Sequence, residues 1–149
     1  MGSSIYWRLA SLGTFYNYIA TQDNYVRVDS SLEIAQNSHD VAVLLAIKKF
    51  FADPAKAGSG GYIKPKYNFF DLTECKNSRS VNRFIFRDTD KIIQFFDQFP
   101  LLTRKRLDFE DWKKIVNLKN TGAHKTSEGL RLINEIKNRM NSKRDSNGT

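Results

Sequence analysis

The stretch NYVRVDSSLEIAQNSHDVAVLLAIKKFF, residues 24–51, changes its hydrophobic period once and thereby decides the fold class. In its first half, apolar side chains occupy alternate positions, the pattern of a strand with one buried face: Val26, Val28, Leu32 and Ile34. From Ser38, a plausible N-cap, the period becomes helical, and we expect a core stripe of Val41, Leu44, Leu45, Ala46 and Phe50. The stretch predicts a strand followed directly by an amphipathic helix.

The same two periods recur on both sides of this stretch. Before it, a short apolar helix over 5–12 precedes a strand over 13–21. After it come two strands, over 61–72 and 80–88, and three helices, over 88–99, 104–119 and 126–141. Pro65 marks the third strand as an edge strand or the site of a bulge. This order predicts a single α+β domain over 1–141, with helices on one face of an antiparallel sheet and the other face free. The tail 142–149 is expected to be disordered.

The net charge of +8 over 149 residues is unevenly placed. Residues 1–60 carry five basic and five acidic side chains, whereas residues 61–149 carry nineteen basic and eleven acidic ones. This balance is typical of a nucleic-acid-binding protein, although a hydrated basic surface without a ligand gives the same count. The single Cys75 excludes an internal disulfide, and no apolar run is long enough for a membrane span, so we expect a soluble protein without a membrane partner.

The free face of the sheet is the candidate binding surface. Its second pair of strands is expected to expose a cationic patch: Lys64, Lys66, Arg79, Arg83 and Arg87. Tyr16 and Tyr18 offer rings that stack on unpaired bases, or they serve as ordinary sheet residues with hydrated hydroxyls. Asp29 and Glu33 would repel phosphate unless they pair with Arg27 or accept a hydrogen bond from a cytosine amine.

The segment PLLTRKRLDFEDWKKIVNL (100–118), followed by AHKTSEGLRLINEIKNRMN (123–141), resembles the C-terminal part of a LAGLIDADG homing endonuclease domain. Upstream, SLEIAQNSHDVAVLLAIKKFF (31–51) is similar to the second strand and helix of that domain, and GGYIKPK (60–66) to the third strand. The resemblance covers residues 5–141. It implies an αββαββα order, a saddle-shaped sheet that lies in the major groove of DNA, and two motif helices that pack at a dimer or pseudo-dimer axis.

The resemblance also implies a metal-binding acid at the end of each motif helix, just before a glycine. With Gly13 and Phe15 as anchors, Leu12 stands at that position, and leucine cannot ligate Mg²⁺. Tyr6 and Trp7 fall where the family has small residues that let the helices approach closely. Vestigial positions are Gln36, which matches a polar residue that orders water, and Lys105, which matches a basic residue near the scissile phosphate.

Three functions remain open. The first is a catalytically inactive protein without a cofactor that binds structured RNA in an organellar ribonucleoprotein, either a ribosome or an intron-maturase-like complex. The second is an active, magnesium-dependent homing endonuclease that acts on DNA as a dimer. The third is a protein-interaction module that docks through Tyr6, Trp7 and Phe15.

The side chains expected to contact nucleic acid are Tyr16, Tyr18, Arg27, Lys64, Lys66, Arg79, Arg83, Arg87, Arg104, Lys105 and Arg106. RNA is favoured over DNA, and neighbouring proteins are expected at Tyr6 and Trp7. Frequent Lys, Asn, Ile and Phe are what AT-rich coding produces, which points to a mitochondrion or another organelle.

Overall fold

The computed structural model describes residues 2–37, 41–65 and 81–141, with side chains over 5–36, 41–64 and 81–141. The helices are α1 (Gly2–Leu12), α2 (Val41–Phe51), α3 (Thr89–Gln98), α4 (Lys105–Asn120) and α5 (Ser127–Asn138). The strands are β1 (Gly13–Gln22), β2 (Tyr25–Asn37), β3 (Tyr62–Pro65) and β4 (Val81–Phe86). Where the predicted elements fall on described residues they are present, and their ends differ by three residues or fewer. None of the described helices is long and apolar enough to cross a membrane.

The four strands form one sheet in the order β1-β2-β4-β3. β4 pairs antiparallel with β2, with Leu32 opposite Phe86, and antiparallel with β3, with Tyr62 opposite Ile85. β3 is therefore an edge strand, which confirms the interpretation of Pro65, because proline lacks the N–H that a central strand needs. The α+β class with an antiparallel sheet is also confirmed.

The chain forms two compact units, one of Met1–Gly13 and Leu32–Asp88, the other of Thr14–Ser31 and Thr89–Thr149. In the first unit, β2 and β4 bury Leu32, Ile34, Phe84 and Phe86, and Ile85 between the two phenylalanines is buried as well. The ring of Phe51 on α2 stacks on that of Phe86, with centroids 4.6 Å apart. The sheet of this unit is thereby packed against α2.

The predicted core stripe of α2 was right at Leu44 and wrong at Leu45, Ala46 and Phe50. The helix buries Leu44, Ile47 and Phe51, while Leu45 and Phe50 are exposed. Because α2 is apolar on almost every side, its sequence offers two stripes of helical spacing. The stripe that holds Phe51 is buried because it is the one that stacks on β4.

Gly13 forms the junction between α1 and β1. A Cβ atom at this residue would lie 2.6 Å from the carbonyl oxygen of Leu9 and 3.1 Å from the Cδ1 atom of Leu32. Leu9 and Ile5 are buried and fix the helix in the first unit. The glycine is therefore required by close contact with the helix backbone.

The second unit is built around Phe15 of β1, which is 1% exposed. Its ring lies 5.4 to 5.5 Å from the rings of Phe96, Phe109 and Trp112, in the range of favourable aromatic pairs. Trp112 also donates its indole N–H to the carbonyl oxygen of Tyr16, at 3.0 Å. Phe15 cannot form part of a docking surface, and that part of the third functional hypothesis was wrong.

The segment TSEGL, 126–130, begins α5 by a cap that its sequence encodes. The Thr126 hydroxyl accepts a hydrogen bond from the Gly129 N–H at 3.0 Å, which satisfies one of the free donors at the helix start. Gly129 has no room for a side chain, because a Cβ would overlap the Ala123 carbonyl and approach the Thr126 hydroxyl. The spacing of threonine and glycine follows from this turn.

We expect Gly13→Ala to lower the free energy of unfolding by about 1–3 kcal/mol, because the added methyl group meets backbone rather than a flexible side chain. Urea denaturation followed by circular dichroism measures the change. The matched control is Ser11→Ala, an exposed position on the same helix, which should change stability by less than about 0.5 kcal/mol. Equal denaturation midpoints for the two variants would contradict the close contact.

Candidate nucleic-acid interface

The outward face of the first unit is charged and follows the strand register. Glu33, Ile85 and Tyr62 lie opposite one another across β2, β4 and β3, and Ala35, Arg83 and Lys64 form the neighbouring row. These positions alternate along the strands with the set that faces α2, but Ile85 is itself buried, so the exposed part of this face is the row of Ala35, Arg83 and Lys64 and the ends around it. Arg87 follows two residues after Ile85 and is exposed. Three of the predicted cations therefore share one face with an acid and an aromatic ring.

Two of these cations have oriented neighbours. The Nε atom of Arg83 lies 3.2 Å from the Oε1 atom of Glu33, a charge contact without a well-aligned hydrogen bond between the two atoms. The guanidinium of Arg87 lies over the ring of Tyr62, 5.7 Å from its centroid, a cation–π arrangement. Sequence reasoning missed Tyr62, although it shares the parity of Lys64 and so had to share its face.

The outward side of the hairpin in the second unit carries rings and a further ion pair. Tyr16 and Tyr18 are exposed on β1, next to buried Phe15 and Asn17 on the opposite side. On β2, the Nε atom of Arg27 lies 2.9 Å from the Oδ2 atom of Asp29. Asp29 thus pairs with Arg27, as the sequence predicted an acid on a phosphate-binding face would have to. Glu33 pairs with Arg83 instead.

Three consecutive cations stand at the start of α4: Arg104, Lys105 and Arg106. The Lys105 N–H donates to the Thr103 hydroxyl at 3.3 Å, and the first turn of the helix is closed by backbone bonds from residues 106 and 107. Burial lowers the pKa of the Lys105 ammonium below the usual lysine value, and the nearby Asp108 carboxylate partly offsets this. A cation held where its charge is disfavoured is a candidate functional group.

The end of α1 offers no oxygen ligand from a side chain at its last residue. Leu12 ends the helix immediately before Gly13 and is 37% exposed. One turn earlier, Trp7 is 64% exposed and its ring meets that of Tyr6 edge to face. Among the side chains that the structure describes, no three His, Cys, Asp or Glu residues form a group that could hold a metal ion. The described residues do not fit a divalent cation at this helix end.

The remaining predicted residues divide between described and undescribed parts of the chain. Gln36 is half-buried near the end of β2, opposite Asn82. Lys66, Arg79 and the tail 142–149 lie outside the described residues. The cations are distributed over both units: Lys64, Arg83 and Arg87 belong to the first, and Arg27, Arg104, Lys105 and Arg106 to the second.

A sequence model described as "LAGLIDADG endonuclease" matches residues 13–116, most of the chain, and the match begins directly after α1. The chain belongs to the LAGLIDADG endonuclease family. A segment of 54 residues is 46% identical to "Probable intron-encoded endonuclease 3" of Neurospora crassa. That segment is 36% of this chain and only 10% of the relative.

Solved structures of LAGLIDADG homing endonucleases share the fold. The homing endonuclease I-TnaI superposes with a TM-score of 0.77 at 24% identity, over 95% of this chain and 88% of its own. I-GzeII in complex with its DNA target gives a TM-score of 0.73 at 25% identity, over 95% of this chain and 45% of its own. I-LtrWI bound to target DNA gives a TM-score of 0.71 at 24% identity, over 91% of this chain and 42% of its own. This chain thus spans less than half of the two DNA-bound relatives.

For this member of the family we expect Lys105→Gln to raise the thermal midpoint at neutral pH. Because folding lowers the pKa of Lys105, the folded state disfavours the protonated amine. This loss of stability is fully present below the folded-state pKa and disappears as pH rises to the unfolded-state pKa. The advantage of the variant should therefore shrink at alkaline pH. Differential scanning calorimetry over a pH series measures both changes.

The control for this prediction is Arg106→Gln, which removes an exposed charge from the next position. It should leave the midpoint within the error of the measurement. A midpoint that falls on Lys105→Gln would show that the ammonium stabilises the fold, and the burial argument would be wrong.

Proposed function

We propose that this chain is a nucleic-acid-binding member of the LAGLIDADG family that does not cleave its ligand, and that its ligand is structured RNA. The observation that carries the proposal is Leu12 as the last residue of α1. Resemblance to the family puts a metal-binding acid at this residue, and a leucine side chain cannot replace it. Binding itself depends on the sheet face, which carries Lys64 beside Arg83.

Loss of cleavage follows from the chemistry of the ligand set. A hydrated magnesium ion needs oxygen ligands in an octahedral arrangement, and hydrolysis at two metals needs them at both scissile phosphates. The side chain of Leu12 has only carbon and hydrogen, and the described part of the chain supplies no alternative cluster. Magnesium is required only by the endonuclease alternative.

Retained binding is supported by how the acids on the sheet are arranged. Asp29 and Glu33 each face the Nε atom of an arginine, Arg27 and Arg83. A guanidinium has five N–H donors, so the terminal nitrogens keep donors that can reach phosphates or base edges. The acids thus lose most of their repulsion toward phosphate and hold the guanidinium planes in fixed directions. Lys64, exposed beside Arg83, adds a mobile positive charge that can contact the phosphate backbone of the nucleic acid.

The preference for RNA is supported by the exposed rings of the hairpin. Tyr16, Tyr18 and Tyr25 all present large exposed surfaces on β1 and β2. Single-stranded loops and bulges of folded RNA offer unpaired bases that stack on such rings, whereas a DNA duplex keeps its bases stacked on one another. A ribonucleoprotein of a mitochondrion or another organelle is the setting we propose, since the name of the Neurospora relative describes it as intron-encoded.

The second candidate is a DNA endonuclease, which the names of the relatives favour. The Neurospora relative is named an endonuclease, and I-GzeII and I-LtrWI are described in complex with DNA. The described residues contain one helix of this kind, α1, and cleavage of both strands would require a second one. A protein-interaction role is a weaker candidate and is supported by the exposure of Trp7 beside Tyr6.

We expect tight, salt-dependent binding to a labelled RNA hairpin with a single-stranded loop, with or without magnesium. The logarithm of the association constant should fall by about 0.7 per neutralised phosphate on unpaired RNA as the logarithm of the salt concentration rises. Lys64→Gln should reduce the steepness of that slope by the share of one phosphate contact, about 0.7. Lys125 is an exposed cation beyond α4, and Lys125→Gln should leave the slope unchanged. Fluorescence anisotropy over a salt series measures both.

Cleavage is tested on a pooled library of DNA targets with magnesium and with a chelator. A site-specific double-strand cut that the chelator abolishes would contradict the proposal and establish the endonuclease alternative. The Leu12→Asp variant restores a carboxylate, and Leu12→Asn is its uncharged control. If calorimetry detects magnesium binding by the aspartate variant and not by the asparagine variant, the Leu12 side chain alone accounts for the absence of metal binding.

The RNA preference predicts different effects of two substitutions at Tyr18, which is 59% exposed. Tyr18→Ala should weaken binding to the loop-containing hairpin by roughly fivefold or more, because a base–aromatic stack contributes about 1–3 kcal/mol. Tyr18→Phe keeps the ring and should bind nearly as well as the wild type. Neither change should affect a DNA duplex. A hydroxyl-dependent loss, or an equal loss on duplex DNA, would show that stacking on unpaired bases is not the mode of binding.

A further inference from the structure

The two C-terminal helices of the second unit enclose a groove that the nucleic-acid proposal does not use. Its cavity has a volume of about 450 Å³, within the range of binding sites for small ligands and side chains. Leu118 of α4 and Leu132 and Ile136 of α5 line it with apolar surface. Leu132 is 43% exposed, so part of this surface faces water.

The groove has a defined length and direction. Its lining residues include Lys114 and Leu118 on α4 with the C-cap residue Thr121, and Leu132 and Ile136 on α5 with the C-cap residue Arg139. Each set follows the i, i+4, i+7 spacing of one helix face and extends about 10 Å, two helical turns. Lys114 and Arg139 stand together at one end, near Asp111.

That end of the groove carries the cations Lys114 and Arg139, with Asp111 between them and the carboxylate of Glu135 close enough to act on Arg139. The buried carboxylate of Asp111 accepts two hydrogen bonds from Arg139, at 3.2 Å from Nε and 3.0 Å from Nη2, and lies 3.9 Å from the Nζ atom of Lys114. Two cations thus share one carboxylate. The Lys114 side chain is largely exposed, and the guanidinium is held rigidly with the N–H groups of Nη1 left over. The arrangement is suited to one further carboxylate.

We propose that this groove docks an amphipathic α-helix of a partner protein. The helix would insert apolar side chains one turn apart over Leu118, Leu132 and Ile136, and place an Asp or Glu beside Lys114 and Arg139. The lining residues include no aromatic ring on which a base could stack, and the floor is apolar where a nucleic acid would need cations. A helix face of two turns matches the groove in length. The groove is distinct from the cationic sheet face and does not depend on the function proposed for it.

The test is a selection with the full chain as bait against a yeast-displayed library of single helices of about 16 residues, randomised on their surface. We expect the enriched helices to carry Leu, Ile or Phe at i and i+4 and an acid one turn beyond. Binding of a purified enriched helix should weaken roughly tenfold on Leu132→Glu. Leu102→Glu makes the same change at an 84% exposed leucine outside the groove and should have no effect.

A charge exchange checks the orientation. Lys114→Glu should weaken binding several-fold, and replacing the acid of the selected helix by lysine should restore most of the loss. The proposal is overturned if no helix is enriched above bait-free selection, or if Leu132→Glu and Leu102→Glu bind equally. Binding of dodecanoate with the same dependence on Leu132, without an enriched helix, would assign the groove to an amphiphile. An equal loss of hairpin RNA binding on Leu132→Glu would assign it to nucleic acid.

Discussion

The contact between Gly13 and the backbone of α1 determines where the first helix ends and the sheet begins. With the Leu9 carbonyl oxygen at 2.6 Å from the place of a Cβ, this residue has no room for any side chain. The helix therefore stops at Leu12, immediately before Gly13. The residue at this point of the chain is thus set by a steric requirement one position later, whatever side chain it carries.

The sheet shows how acidic residues can coexist with a polyanionic ligand. An unpaired carboxylate on such a face would repel phosphate at short range, and burial would make the repulsion stronger. Asp29 and Glu33 instead lie against arginine side chains, each with a carboxylate oxygen within 3.2 Å of an Nε atom. The acids act as supports that limit guanidinium rotation. Ordering these side chains before binding reduces the entropy lost when the ligand arrives.

The sequence was sufficient for the fold because its periods are simple and its breaks are strong. The alternation in β2 and the proline of β3 each depend on neighbours in the chain, and each was visible in the residues. The buried face of α2 was not visible, because Leu45 and Phe50 are as apolar as Ile47 and Phe51. Which pair is buried is decided by contact with β4, more than thirty residues away in the sequence. The pairing of Arg83 with Glu33 likewise requires the strand register, which local patterns do not contain.

The second unit is closed by residues that lie far apart in the chain. Asn141 donates to the carbonyl oxygen of Phe15 at 2.8 Å, and the amide of Asn17 reaches the sulfur of Met140, across 126 and 123 residues. During synthesis Phe15 therefore stays uncovered at least until the residues that pack on it, as far as Trp112, have left the ribosome. Closing so long a loop is entropically unfavourable and slow. The apolar side of the hairpin is consequently the surface that a nascent-chain chaperone would meet first.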